Sequence, residues 1–143
     1  MARIKAAGGQ RLLRAQKTLT LDGTSGNGAV GTVTIFTITG RVTIIDVETF
    51  CTGAMTGATG TIALGTASLP TTLVTTTTAT DLTLNEFWLD ATPTEVGLMA
   101  SPAAVKDIKC SENIILTVAV AAVSGAIMFT VWYAPTTSDG FLS

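Results

Sequence analysis

The 143-residue chain contains no histidine. That absence removes the commonest general base, the Ser-His-Asp arrangement and most zinc sites together. Cysteine is scarce as well. Cys51 and Cys110 stand far apart in sequence and cannot close a structural zinc site by themselves. Nothing in the sequence points to an oxidising compartment, so buried free thiols are expected in preference to a disulfide. Charged residues make up 13% of the chain, and only Pro70, Pro93, Pro102 and Pro135 interrupt it. The opening MARIKAAGGQRLLRAQK is basic but lacks the apolar run of a secretory signal, so none is expected.

What is abundant is threonine, about one residue in five, among β-branched and small residues. The stretch NIILTVAVAAVSGAIMFTVWYA, residues 113–134, carries no charge and is long enough for a membrane-spanning helix. Its composition argues otherwise, because Val, Ile, Thr, Phe, Trp and Tyr favour a pleated surface. Its apolar period is two. Ile114, Leu116, Val118 and Val120 share one face, and Ile127, Phe129, Val131 and Tyr133 share another. The following APTTSDG has an acid and no cation, unlike the basic flank of a span. The reading is two buried strands, 114–122 and 126–134, joined as a hairpin at Ser124-Gly125, with no membrane partner.

Further strands are expected at 17–21, 29–39, 41–51, 61–66, 73–78 and 86–91. In the third of these, Ile45, Val47 and Cys51 should face one way and Asp46 and Glu48 the other. Segment 92–112 is the longest connection. Strand number and spacing predict an all-β chain: an antiparallel β-sandwich or jelly roll of about eight strands over 18–143.

Charge divides the chain unevenly. Residues 1–17 hold Arg3, Lys5, Arg11, Arg14 and Lys17 and no acid, whereas the remainder has three cations and ten acids. Gly8-Gly9 and the brevity of RLLRAQK disfavour an independent helix. Residues 1–17 are therefore expected to form an extended arm that orders against a partner. Five cations without an aromatic residue do not make a nucleic-acid footprint, so an acidic neighbouring subunit is the expected partner.

Few residues suggest chemistry. GNGAVG at 26–31 matches GxGxxG but precedes a strand, whereas a dinucleotide fingerprint opens a helix. The loop 22–27 offers oxygen ligands without EF-hand spacing, and Asp46 with Glu48 reads as a solvated or intersubunit pair. Glu86 and Asp90 flank Trp88 on an expected strand. Trp88 and Trp132 are candidate stacking platforms for a ligand; both are expected in the core, Trp132 because it lies in the apolar hairpin, and Trp88 is the better candidate of the two. No enzyme, metal or cofactor is expected.

The phrases GTVTIFTITGRV, FCTGAMTGATGTIALGT, NEFWLDATP and NIILTVAVAAVSGAIMFTVWYAPTTSDG, across roughly residues 30–140, resemble a group of small tailed-bacteriophage virion proteins. The resemblance implies a structural β-sandwich, plausibly a capsid decoration (cement) protein on the virion surface. Its partners would be the major capsid protein and copies of itself, with a trimer the preferred oligomer. The competing expectation is a carbohydrate- or receptor-binding β-sandwich of a phage head fibre or tail.

Overall fold

The computed structural model describes residues 11–95 and 107–143. Ten strands occur among them. They are β1 (Leu13–Asp22), β2 (Gly31–Phe36), β3 (Ile38–Thr39), β4 (Val42–Thr56) and β5 (Thr61–Gly65). Then follow β6 (Val74–Thr78), β7 (Ile108–Cys110), β8 (Ile114–Ala119), β9 (Ser124–Pro135) and β10 (Phe141–Leu142). A single 3-10 turn, Ala79–Asp81, follows β6. The chain is all-β, and its strand pairs are antiparallel.

Two four-stranded sheets carry the fold, ordered β1-β9-β4-β7 and β2-β8-β5-β6, with β3 and β10 forming a small third one. Both larger sheets feed one core. Val42, Ile44, Val47, Ile127, Phe129 and Val131 enter it from the first, and Ile35, Ile62, Leu64, Ile114, Leu116 and Val118 from the second. The period-two runs of the sequence are the inward faces of these strands.

The expected hairpin is not formed. β8 and β9 lie in different sheets, so the chain arches from one to the other through residues 120–123. Ser124-Gly125 is not the turn but the start of β9, paired with Asp22 and Leu21 of β1. Gly125 is needed there for another reason: a Cβ would sit 2.6 Å from the Met55 sulfur and 2.9 Å from the Ala54 carbonyl oxygen. The edges of β9 are taken by β1 and β4, and those of β8 by β2 and β5. Each of these mostly apolar strands thus lies between two hydrogen-bonded neighbours, and neither is the other's. The arch places Val120 at φ 70°, a left-handed conformation that a β-branched residue adopts at a cost.

Other boundaries move too. The strand expected at 17–21 begins at Leu13, because Leu13 and Ala15 pack against the core and pair with Tyr133 and Val131. The arm boundary placed after Lys17 therefore falls inside β1. The strand expected at 41–51 runs on to Thr56. A bulge at Ile45 offsets its alternation, so Ile44 and Val47 are the core residues while Ile45 is half-buried. The expected strand 86–91 is replaced by single bridges from Phe87 to Phe50 and to Thr94.

Those bridges place a core side chain. Trp88 donates its backbone N–H to Thr49 O of β4 (3.0 Å) and accepts the Thr49 hydroxyl at its own carbonyl. Its wholly buried indole donates Nε1–H to Thr75 O of β6 at 3.2 Å. One residue thus ties an outer strand of the second sheet to the first sheet. Near the opposite edges, Lys17 Nζ on β1 donates to Ile35 O at the irregularity of β2, 3.2 Å away.

Two stability effects follow from these placements. Trp88→Phe leaves the Thr75 carbonyl unsatisfied and opens a void, and is expected to cost about 2–4 kcal/mol in denaturant unfolding. Val120→Gly relieves the positive φ at an exposed site and is expected to raise the unfolding midpoint, by about 1 kcal/mol in stability.

Candidate functional site

The side of the first sheet that faces away from the core has an ordered chemistry set by strand register. Arg14 on β1 pairs with Trp132 on β9, and Trp132 pairs with Asp46 on β4, giving one row across three strands. The next row is Gln16, Thr130 and Glu48, in which Gln16 Nε2 donates to Thr130 Oγ1 at 3.0 Å. A third row holds Thr18, Met128 and Phe50. Phe50 continues sideways to Phe87, ring centroids 4.9 Å apart and tilted by 57°.

Arg14, Gln16 and Thr18 are exposed, while Trp132, Asp46, Glu48, Met128, Phe50 and Phe87 are half-buried. Asp46 Oδ1 accepts the N–H of Val47 at the bulge, 2.8 Å away. Among the described residues, Arg14 and Glu48 take part in no ion pair. Beyond the Arg14 row the face ends in a groove of about 180 Å³ lined by Arg11, Thr43, Ile45, Asp107, Lys109 and Ala134. The surface therefore combines an aromatic and thioether band with a cation on one flank and two carboxylates on the other. Such a mixture suits a protein partner or a planar polar ligand.

The residues singled out from sequence fare differently. Arg3 and Lys5 lie outside the described residues. Arg11 borders the groove and Arg14 lies on the outward face, whereas Lys17 is exposed at the edge on the side of Ala15 and Leu19 and donates to the Ile35 carbonyl. Trp88 is a core residue, as preferred from the sequence: with no exposed surface it presents no ring face to a ligand, and its candidacy as a stacking platform is withdrawn. Trp132, expected in the core, is instead half-buried on the outward face. The signal was present in the sequence, since Val131 and Tyr133 on the core face put Trp132 on the other.

The remaining polar groups serve local structure. Glu86 Oε2 accepts Thr83 N–H at 2.6 Å and Asp90 Oδ1 accepts Thr92 N–H at 2.7 Å, so each carboxylate closes its own turn. GNGAVG leads into β2. Asp22 accepts both the N–H (2.9 Å) and the hydroxyl (2.6 Å) of Thr24, which holds its carboxyl below the ordinary range. No group of three or more metal-ligating side chains occurs among the described residues, and no helix there is long and apolar enough to cross a membrane.

Cys51 and Cys110 are free and buried, and burial raises both thiols, which leaves them poor nucleophiles. Cys110 sits opposite Val42, whereas Cys51 lies nine residues further along the same strand, roughly 30 Å away at the rise of a strand. They cannot pair.

Glu112 accepts the Ser68 hydroxyl at 2.5 Å and the Ser68 N–H at 3.1 Å, and these bonds lower its carboxyl. A carboxylate held low is a weak base near neutral pH. Because its folded value is depressed, its stabilising effect is present above the unfolded value and is lost as pH falls through the folded one. In an NMR titration the Ser68 amide is expected to move with a midpoint below that of an ordinary glutamate. Glu112→Gln should abolish this transition while leaving that of Thr24, which reports on Asp22.

No protein family, curated protein or solved structure matches the chain.

Proposed function

We propose that this chain is a structural subunit of a tailed-bacteriophage particle, a β-sandwich that sits on the capsid surface as a decoration protein and bridges neighbouring subunits. The observation that carries this reading is the outward face of the β1-β9-β4-β7 sheet. It is banded with aromatic and apolar groups, and it bears separated opposite charges, a mixture that suits a protein–protein contact. The resemblance to small virion proteins supports it. The matching phrases fall on the framework: GTVTIFTITG spans β2 and β3, and NEFWLDATP contains the Trp88 tie between the sheets.

The proposed partners are the major capsid protein and copies of this chain, grouped three-fold on the shell. No catalytic step is assigned. Attachment would use many modest contacts repeated over the lattice, so avidity replaces any single strong site. The basic segment contributes through Arg3, Lys5 and Arg11; Lys17 is committed within the body.

A second reading, a carbohydrate-binding face, is favoured by Trp132 standing in the middle of Gln16, Asp46 and Glu48.

The deciding experiment adds purified chain to capsids assembled without it and measures occupancy against concentration and salt. Saturable binding that weakens as salt rises is expected. A chain lacking residues 1–10 keeps β1 whole and is expected to fold yet bind several-fold more weakly at low salt. Failure of the full-length chain to bind shells, together with glycan-dependent quenching of tryptophan fluorescence, would replace the capsid reading by the sugar-binding one.

A further inference from the structure

The outward face is self-complementary, and we propose that two copies of this chain pair through it, face to face, about a two-fold axis parallel to β9. Such pairing belongs to the free chain, whether or not it decorates a particle. The order of the three strands sets it. β9 is central, β1 lies on one side with Arg14 and Gln16, and β4 lies on the other with Asp46 and Glu48.

A half-turn about an axis along β9 lays β9 over its own copy and β1 of each chain over β4 of the other. Heights along the strands are preserved, so residues of the same row meet. Arg14 then faces Asp46 of the second copy, and Asp46 faces the second Arg14. Gln16 faces Glu48, Trp132 meets Trp132, and Met128 meets Met128. Every charged group of these rows finds an opposite charge or a hydrogen-bond donor, and the aromatic and thioether band lies on the axis, where binding energy concentrates.

The other in-plane axis, perpendicular to β9, does not work. It lays β1 on β1 and β4 on β4, and so sets Arg14 toward Arg14 or Glu48 toward Glu48 whenever the axis passes through their row. Like charges across a contact cost several-fold to orders of magnitude in affinity. Charge therefore selects one axis.

The edges of the sheet offer no equal alternative. β1 is an edge strand whose exposed Lys17 discourages strand addition. The outward face is three strands wide over three charged or apolar rows, widened by Phe87 and Lys109 beyond β4. By strand spacing and rise this is a modest patch, about 15–20 Å by 20–25 Å. It lies at the low end for specific interfaces, so association in the micromolar range is expected.

The test uses the full chain in sedimentation equilibrium at about 100 µM and low salt, a concentration chosen for an interface of this size. The wild type is expected at twice its 14.6 kDa chain mass. Arg14→Glu makes both flanks of the first row acidic, and Asp46→Lys makes both basic. Each variant alone is expected to associate at least about tenfold more weakly. Mixed together, they are expected to form a heterodimer, because both cross-contacts are then attractive; a merely structural role for either residue would not restore association.

Circular dichroism checks folding. If Asp46→Lys disturbs the bulge in which Asp46 accepts Val47 N–H, the second row serves instead: Gln16→Glu faces Glu48 of the other copy and weakens pairing, and mixing it with Glu48→Lys restores association. Trp132→Ala is expected to abolish pairing with the fold intact. The proposal is overturned if the wild type is a monomer or a trimer at this concentration, or if the mixed variants fail to associate. It is equally overturned if Trp132 of a monomer is quenched by a glycan.

Discussion

Trp88 joins what the chain order keeps apart. Its backbone bonds to Thr49 extend the first sheet past the short strand β7, while its indole N–H reaches Thr75 in β6 of the second sheet. Neighbouring contacts follow the same line: Met55 N–H bonds Leu82 O, Cys51 N–H bonds Glu86 O, and Thr77 Oγ1 bonds Ala91 O. An indole is large enough to fill the space between the layers and carries one polar atom that must find an acceptor when buried. Thr75 supplies that acceptor, so packing and hydrogen bonding at this point are satisfied by a single residue.

The opposite side is built differently. β1 and β2 are outer strands of their sheets, and the one side-chain bond between them runs from Lys17 Nζ to Ile35 O. A lysine turned toward the core side of an edge strand satisfies a carbonyl freed at an irregular register and also makes the edge a poor template for another strand. Nearby, β10 covers β3, and Thr37 exchanges two backbone bonds with Ser143. The outward face, and not the β1 edge, is therefore the surface proposed for association.

Most polar chemistry in the described residues is consumed by structure. Asp22, Glu86, Asp90 and Glu112 each close a turn or a loop, and the two thiols lie in the core with raised values. What remains outward is the Arg14–Trp132–Asp46 row and its neighbours. The proposals of a capsid contact and of self-pairing both rest on that surface.

The sequence by itself determined the all-β class and the inward face of each long strand, because alternation along one strand is a local property. It also determined the outward position of Trp132, through Val131 and Tyr133. Only the tertiary structure decided which strands are neighbours. Ser124-Gly125 has the composition of a turn, yet β8 and β9 part into separate sheets, where β8 pairs with β2 and β5 and β9 with β1 and β4. The bulge at Ile45, the Lys17 bond to β2 and the Trp88 bond to β6 are likewise unreadable from local pattern. Each depends on a partner distant in sequence: Trp132 across from Asp46, the Ile35 carbonyl, and the Thr75 carbonyl. Period two says which way a side chain points; the long-range hydrogen bonds say what it meets.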